Sequence, residues 1–262
     1  MIVMPRANHV HRYRANVPDQ TLRIGLLQCG HIHSDLVPEH GDYPEVFADL
    51  LGPHGIELET IDVTEGPPPN DPHALDGWVV SGSACSAYDP LPWIAPVEDL
   101  LRTVIAAAAP LVAVCFGHQL LAQAMGGRVA KASVGWGVGA HTYELLGPPV
   151  PWMDPPAPGH TVRLIASHQD QVVELPQGAE VIARSKDCPV AAYTLGPAAL
   201  AIQPHPEFSA GVSAGLVNRR RDAIGASTAD AALASLDAPL DCSLVGAWMA
   251  AFLRQAHGRG RS

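Results

Sequence analysis

The first half of the chain alternates between short apolar runs and longer stretches with apolar residues at helical spacing. This alternation constrains the fold most, because strands that alternate with helices pair in parallel through right-handed crossovers. Strands are predicted at LRIGLLQ (22–28), Ile56 to Val63, GWVVSG (77–82) and Leu111 to Val114. Helices are predicted from Tyr43 to Leu51, from Trp93 to Ala109, and directly after Cys115. We therefore expect an α/β protein built on a parallel sheet.

After Gly127 the pattern changes to shorter strands that are separated by turns. These strands are predicted at HTYELL (141–146), TVRLIAS (161–167), EVIARS (180–185), VAAYTL (190–195) and LAIQ (200–203). A helical stretch after Phe208, an alanine-rich segment and an apolar helix from Leu244 to Leu253 follow. We expect one domain at 21–257, between an irregular N-terminal extension at 1–20 and a polar tail at 258–262.

Composition excludes several classes of function. Hydrophobic residues make up 47% of the 262 residues and charged residues 16%, which is typical of a well-packed globular protein. The formal net charge is -10 and the longest basic run is Arg219 to Arg221, so nucleic-acid binding is disfavoured. The apolar run from Val104 to Phe116 is broken by Pro110 and is too short to span a bilayer. We expect no membrane or nucleic-acid partner.

The cysteines indicate a reducing compartment. Five of them are scattered along the chain without any CxxC pair, which argues against a disulfide framework and against a cysteine-based zinc site. The first twenty residues contain no apolar core of the length that a signal peptide needs. We therefore expect free thiols and a cytoplasmic location.

One cysteine lies at a corner between a strand and a helix, in the stretch VAVCFGHQLLAQAMGG (112–127). At such a corner the sulfur of Cys115 would lie at the carboxyl end of the sheet, and the N-terminus of the next helix would stabilise its thiolate. The alternative is a buried and inert cysteine that happens to end a strand. This stretch alone leaves both interpretations open.

A nucleophilic cysteine needs a base, and the base needs a group that orients it. His205 follows the predicted strand LAIQ, and the ends of neighbouring parallel strands meet at one edge of a sheet. Glu207 is two residues further on and is close enough to contact the imidazole and fix its tautomer. The alternative is a proline-stiffened loop with a solvated carboxylate.

Acyl transfer also needs donors for a developing oxyanion. The third strand leads into SGSACSAYD (81–89), whose small residues would let backbone N–H groups approach a substrate closely. Phe116, directly after the cysteine, would supply a second N–H at the start of the helix. The alternative for the segment 81–89 is an ordinary Ser/Gly turn.

Taken together, these segments resemble the class I (triad) glutamine amidotransferases. VCFGHQLLAQAMGG is similar to the nucleophile elbow of that family, SGSACSAYD to its oxyanion strand and AIQPHPEF to its His-Pro-Glu segment; SVGWG (133–137) and SHQDQV (167–172) match two further segments in the right order. The similarity extends from about Leu22 to Leu253 and is greatest to free-standing GMP-synthase-like domains and plant γ-glutamyl peptidases. It implies a three-layer, flavodoxin-like fold with a mostly parallel central sheet flanked by helices.

The resemblance also implies a role for individual residues. Cys115 would attack the side-chain amide of glutamine, His205 would be the acid and base, and Glu207 would orient His205. The backbone N–H groups of Ser83 and Phe116 would form the oxyanion hole. The substrate-binding positions that it implies are Gly82, Gln119, the backbone at Trp136 and Gly137, and His168.

The chain departs from the family pattern at two places. Ala113 stands where the elbow usually has glycine, which makes the turn more crowded. Gly82-Ser83-Ala84 stands where the oxyanion strand commonly has Gly-Gly-Pro, which would leave the loop more mobile but keeps its backbone donor. Neither departure removes a catalytic side chain.

Other motifs carry less weight. His31, His33 and Asp35 have a spacing that a metal could use, but short histidine clusters on loops are usually not ligands, so we expect no metal. The chain has neither a GxGxxG nor a GxxxxGK[ST] motif, and we expect no cofactor. The arginines at 219–221 are predicted to form a solvated helix face.

These observations predict a hydrolase that releases ammonia from glutamine or cleaves a γ-glutamyl amide. Because only the polar RQAHGRGRS follows Leu253, we expect no synthase domain in this chain. Two alternatives remain: an amidotransferase that supplies ammonia to a separate synthase partner, and a catalytically silent module of the same fold. The sequence leaves open the γ-substituent, the acceptor of the ammonia and the oligomeric state.

Overall fold

The computed structural model describes residues 21–260, so the predicted extension at 1–20 and the last two residues of the predicted tail lie outside the described residues. Eleven strands are found in this part of the chain: β1 Leu22–Gln28, β2 Ile56–Asp62, β3 Gly77–Val80, β4 Leu111–Val114, β5 Arg128–Lys131, β6 Gly137–Leu145, β7 Thr161–His168, β8 Asp170–Glu174, β9 Ala179–Arg184, β10 Ala192–Leu195 and β11 Ala199–Ile202.

The same residues contain eight α-helices: α1 Val37–His40, α2 Tyr43–Leu51, α3 Ile94–Ala106, α4 Phe116–Ala124, α5 Ala210–Arg219, α6 Arg221–Ile224, α7 Ala226–Ser235 and α8 Cys242–Arg259. Local sequence explains where the helices near the site begin. Asp42 and Glu45 form a reciprocal capping box at the start of α2, and Ser209 caps α5 by accepting a hydrogen bond from the N–H of Val212.

Nine strands form one central sheet in the order β2-β1-β3-β4-β11-β10-β9-β6-β7, and β5 pairs with β8 in a separate two-stranded sheet. Strands β2, β1, β3, β4 and β11 are parallel, as the alternation of strands and helices predicts. Strands β10, β9, β6 and β7 continue the sheet in antiparallel pairs. The α/β fold with a central sheet flanked by helices is confirmed.

Apolar side chains pack on both faces of the sheet, which gives the three layers that were expected. Along β4, Val112 and Val114 belong to one core cluster, while Leu111 and Ala113 belong to the cluster on the opposite face. The first cluster is covered by α2 and α8, and the second by α3 and α4. A strand whose side chains are buried on both faces fixes the position of the residue that follows it, here Cys115.

Several element limits differ from the prediction. Helix α3 ends at Ala106 because Ala108 has a φ of 51° and Pro110 follows. Helix α8 continues beyond Leu253 to Arg259, so residues 258 and 259 of the predicted tail are helical. Strands β5 and β8 were not predicted, since each is short and lies beside a turn. The domain limits at 21–257 stay a prediction.

Among residues 21–260 there is no helix of the length and hydropathy required to cross a membrane. The cytoplasmic location stays a prediction.

Candidate active site

The turn between β4 and α4 places Cys115 at the carboxyl end of the parallel strands. Its backbone has a φ of 52° and a ψ of -101°, a strained conformation for a residue with a side chain. The N–H of Cys115 donates to the carbonyl of Ile202 at 2.8 Å, and the N–H of Gly117 donates to the carbonyl of Ser81 at 3.2 Å. A Cβ at position 117 would lie 2.8 Å from Val80, so only glycine fits after the turn.

Cys115 is 4% exposed, and it lines a cavity instead of being sealed in the core. This Cys115 cavity has a volume of about 320 Å³, and its walls include Gln119, Trp136, His168, Asp170 and Arg220. The side-chain amide of Gln203 donates to the sulfur at 3.6 Å. Ala113 is completely buried in β4, so its methyl group is accommodated within the core.

His205 and Glu207 lie just beyond the end of β11, next to Cys115. The N–H of His205 donates to the carbonyl of Ile165 at 2.8 Å, and its ring stacks on Phe208 with 4.0 Å between centroids. Nδ1 of His205 lies 2.6 Å from Oε1 of Glu207, with both side chains buried. The Cys115 thiol lies close enough to the imidazole to influence its pKa. Backbone contacts and stacking thus hold the imidazole between a thiol and a carboxylate.

The surroundings of His205 favour its charged form. Burial alone would lower the pKa of the imidazole, but the negative charges of Cys115 and Glu207 and its hydrogen bonds to both residues raise that pKa to about 10. A charged imidazole next to a thiol is the arrangement in which an adjacent base can activate a cysteine.

The two expected oxyanion donors lie in the loop after β3 and at the start of α4. Phe116 is the first residue of α4, and Ser83 lines the Cys115 cavity. Within residues 21–260, the backbone N–H groups of Ser83 and Phe116 form no hydrogen bond with the protein. Both N–H groups remain available to a ligand in the cavity.

The predicted substrate-binding residues are distributed around this cavity. Gln119, Trp136 and His168 line it directly. Gln119 is buried and donates to the carbonyl of Asp170 at 2.9 Å and to Gln203 at 3.1 Å. Burial and the neighbouring His205 lower the pKa of His168 to about 3, so this ring is neutral.

The two predicted glycines lie behind the cavity wall. Gly137 lines a smaller neighbouring cavity, where a Cβ would lie 3.1 Å from the His168 ring. At Gly82, a Cβ would lie 2.6 Å from the Tyr43 hydroxyl and 3.0 Å from the His205 ring. The structure therefore puts Gly82 beside the imidazole, at a position that has no room for a side chain.

The metal interpretation of the N-terminal histidines has no support within residues 21–260, where no three side chains are arranged to hold a metal. His31 instead lies between Asp42, at 2.6 Å, and Asp62, at 3.2 Å. The hydrogen bond to Asp42 is the main cause that raises the pKa of His31.

Comparison with known proteins decides the family. The family described as glutamine amidotransferase class-I matches residues 43–219, a segment that contains the nucleophile turn and the His-Pro-Glu segment. The chain belongs to the class I glutamine amidotransferases. The family membership expected from the five sequence segments is thus confirmed.

Relatives of this class I amidotransferase include proteins with two kinds of name. Gamma-glutamyl peptidase 4 of Arabidopsis thaliana is 31% identical over 69% of the chain and 73% of the relative. A glutamine-hydrolyzing GMP synthase subunit of Halobacterium salinarum is also 31% identical, over 68% of the chain and 90% of the relative. A glutamine amidotransferase from Thermotoga maritima has the same fold, with a TM-score of 0.71 at 16% identity over 91% of this chain and 99% of that chain.

Sequence reasoning missed Asp170, which belongs to the matched segment SHQDQV but received no role. Its buried carboxylate accepts hydrogen bonds from the Ser86 hydroxyl at 2.5 Å and from the Tyr88 hydroxyl at 3.0 Å. Asp170 thereby ties the loop after β3, which contains Ser83, to β8. These partners are more than eighty residues apart in sequence, so only the fold could show this contact.

The prediction that residues 219–221 form a solvated helix face is wrong for Arg220. Its guanidinium lies 5.7 Å from the Trp136 ring centroid and donates to the Ser167 hydroxyl at 3.1 Å. Arg220 lines the Cys115 cavity, whereas Arg221 forms an ion pair with Asp230. Helical spacing could have shown this, because Arg220 lies four residues after the buried Leu216 and therefore on the same face.

A second cavity adjoins the Cys115 cavity. This His205 cavity has a volume of about 330 Å³, and its walls include His31, His33, Tyr43, His205, Arg219 and Arg220. It shares Ser83, Ala84, Ser167 and Arg220 with the Cys115 cavity. The two cavities are therefore continuous along these four residues.

Proposed function

We propose that this class I amidotransferase hydrolyses the γ-amide of glutamine or of another γ-glutamyl compound, with Cys115 as nucleophile, His205 as acid and base, and Glu207 as the group that orients His205. One observation carries the proposal. The buried imidazole contacts the carboxylate and lies beside the thiol, and the thiol and the imidazole line two cavities of about 320 and 330 Å³, each large enough for a glutamyl group.

In the first half of the reaction, the sulfur of Cys115 forms a bond to the γ-carbonyl carbon of the substrate. The backbone N–H groups of Ser83 and Phe116 stabilise the resulting oxyanion. His205 then gives its proton to the amide nitrogen, the C–N bond breaks, and the amine or ammonia leaves. The product on the protein is a γ-glutamyl thioester at Cys115.

In the second half, water attacks the thioester carbon while His205 takes one of its protons. The C–S bond breaks, glutamate is released, and the thiolate and imidazolium are restored. Glu207 keeps Nδ1 of His205 as the donor to its carboxylate, so that the other ring nitrogen faces the reacting atoms in both halves.

The glutamyl group itself would occupy the Cys115 cavity. Gln119 and the backbone near Trp136 and Gly137 would hold its α-amino and α-carboxylate groups, and the neutral His168 would form part of the wall. Gly82 would leave the space that the imidazole needs. Asp170 would keep the oxyanion loop in place through Ser86 and Tyr88.

A second function is favoured by one comparison. The similarity to a glutamine-hydrolyzing GMP synthase subunit over 90% of that relative fits a protein that would supply ammonia to a separate synthase partner. Both functions share the glutaminase chemistry. They differ in the leaving group. The ammonia-supplying protein would release ammonia alone, whereas the hydrolase would also release larger amines.

The test is a screen of the purified protein against glutamine, γ-glutamyl amines and glutathione conjugates, with ammonia and glutamate measured separately. Glutamate released from the larger compounds would support the hydrolase, and ammonia released from glutamine alone would favour the ammonia-supplying role. Treatment with a glutamine-like diazo-ketone should label Cys115 and should fail to label Cys115→Ala. Absence of both turnover and labelling would overturn the proposal in favour of a silent module.

A further inference from the structure

Different groups of the proposed mechanism line the two cavities. Cys115 lines one of them and His205 lines the other. The group that protonates a leaving amine must lie on the side to which that amine departs. If the proposed function holds, the glutamyl group therefore occupies the Cys115 cavity and the leaving amine faces the His205 cavity.

The His205 cavity is much larger than ammonia requires. Its volume is about 330 Å³, whereas a water-sized molecule such as ammonia occupies roughly 30 Å³ in a liquid. The space instead fits the size of an amino acid or a dipeptide attached through the γ-amide.

The charges on the wall of this cavity indicate what such a leaving group carries. Arg219 is paired with Asp35 and also contacts His33, with 2.6 Å between Nη2 and Nε2. His31 is paired with Asp42 and Asp62. Arg220 differs from these residues, because within residues 21–260 no carboxylate lies within ion-pair distance of its guanidinium. Arg220 therefore gives the His205 cavity, and the Cys115 cavity that it also lines, a positive charge without a paired carboxylate.

The guanidinium of Arg220 is also held in place. Ser167 accepts from its Nη1 at 3.1 Å, and the ring of Trp136 lies against it at 5.7 Å from the centroid. A guanidinium fixed in this way still presents further N–H groups, and their planar arrangement matches the two oxygens of a carboxylate.

We propose that the His205 cavity binds the leaving group of a γ-glutamyl substrate and that Arg220 recognises a carboxylate on that leaving group. This inference rests on the proposed function and adds a substrate class to it, namely γ-glutamyl amides of amino acids or short peptides with a free carboxylate. Arg220 is then a specificity-determining residue, whereas Arg221, one position further on, forms an ion pair with Asp230.

The experiment compares two substrates that differ in one group. γ-Glutamylglycine has a carboxylate on the leaving amine, and γ-glutamylglycinamide has a neutral amide in the same place. We expect kcat/KM of the wild-type protein to favour γ-glutamylglycine by about tenfold or more, as is typical of a hydrogen bond to a charged group. In Arg220→Gln the preference should fall to about one, while Arg221→Gln should keep it.

The ratio of the two rates within one preparation cancels any loss of folded protein, so a less stable Arg220→Gln protein still gives an answer. Arg220→Lys, which keeps the charge but not the planar group, should retain part of the preference. A wild-type protein that hydrolyses both compounds equally would overturn the inference. So would an equal loss by Arg220→Gln on both compounds and on glutamine, since that result assigns Arg220 to the shared glutamyl group.

Glutamine is the third substrate in every assay, and it distinguishes failure of the inference about Arg220 from failure of the proposed function. Activity on glutamine without any preference for γ-glutamylglycine would leave the proposed function in place and overturn only the inference about Arg220. A protein inactive on all three substrates and not labelled by the diazo-ketone would overturn the proposed function itself.

Discussion

The Cys115 cavity and the His205 cavity differ in how their walls are fixed. In the first, Gln119, His168 and Asp170 are buried, and each is hydrogen-bonded to backbone or to other buried groups. In the second, His31 and Arg219 have side chains that are 53% and 40% exposed, and they are held by ion pairs at the surface. Part of the first wall is therefore fixed by buried hydrogen bonds, and part of the second by ion pairs at the surface.

This difference distinguishes residues that take part in the reaction from residues that discriminate between substrates. Groups that touch the reacting atoms need positions fixed to within a fraction of an ångström, which buried backbone contacts provide. Groups that recognise a variable part of a substrate tolerate exposure and change easily without damage to the core. Substitutions of Cys115, His205 and Glu207 should therefore affect all substrates alike, and those of Arg219 and Arg220 should affect substrates selectively.

The largest expected effect is that of Cys115→Ser. Loss of the thiolate should lower kcat by at least about 10⁴-fold on every substrate, because a hydroxyl at this position is a much poorer nucleophile. Circular dichroism and thermal unfolding should show an unchanged fold, since serine differs from cysteine by one atom. Glutaminase activity comparable to that of the wild type would exclude Cys115 as the nucleophile.

Next come His205→Ala and Glu207→Gln, which test the order of importance within the triad. We expect His205→Ala to lower kcat by about 10³-fold to 10⁴-fold. Glu207→Gln should lower kcat by a factor about tenfold to 100-fold smaller than that of His205→Ala, since an orienting group matters less than the proton carrier. Both losses should be the same for glutamine and for γ-glutamylglycine. If the carboxylate proved the more damaging loss, the assigned order of roles would be wrong.

The titration of His205 gives a measurement that does not depend on substrate. Its pKa is raised from 6.5 to about 10 in the folded protein, so charged His205 stabilises the fold fully below about pH 6.5, and this stabilisation is lost as the pH rises through about 10. NMR of labelled imidazole carbons should show a titration far above 6.5. The pKa should fall more in Cys115→Ser than in Glu207→Gln, because the negative charge at Cys115 raises it most. A wild-type midpoint near 6.5 would contradict the thiolate–imidazolium pair.

The smallest expected effect is that of Arg219→Gln. Because Arg219 is paired with Asp35 and is partly exposed, its removal should lower kcat/KM only a few-fold, and only for substrates with an acidic leaving group. Activity on glutamine should stay unchanged. A large loss on glutamine would contradict the division between the two cavities.

The predictable parts of the molecule are those that local sequence determines. The turn at Cys115 was predictable because an apolar strand, one cysteine and a helical pattern follow each other directly. The contact between His205 and Glu207 was predictable because the two residues are only two positions apart. The antiparallel part of the sheet was predicted only as a series of short strands. The residues of a short strand do not determine which other strand it pairs with.

The site features that the sequence did not predict depend on contacts between residues far apart in the chain. The link between Asp170 and Ser86 joins two loops far apart in sequence. Arg220 was grouped with its neighbours as a solvated basic run, although the buried residues four and three positions before it, Leu216 and Val217, indicate its face of the helix. A charged residue at the end of an apolar helical face is therefore better interpreted by its spacing than by its charge.

Gly82 limits which substitutions this chain can accept beside the imidazole. A methyl group there would lie 2.6 Å from the Tyr43 hydroxyl and 3.0 Å from the His205 ring, so another amino acid at this position would require one of these side chains to move. Ser83 and Ala84, the next two residues, face no such restriction. They are the two residues that differ from the common Gly-Gly-Pro pattern. In this loop, substitutions are thus tolerated at residues that would contact the substrate through the backbone and not through the side chain.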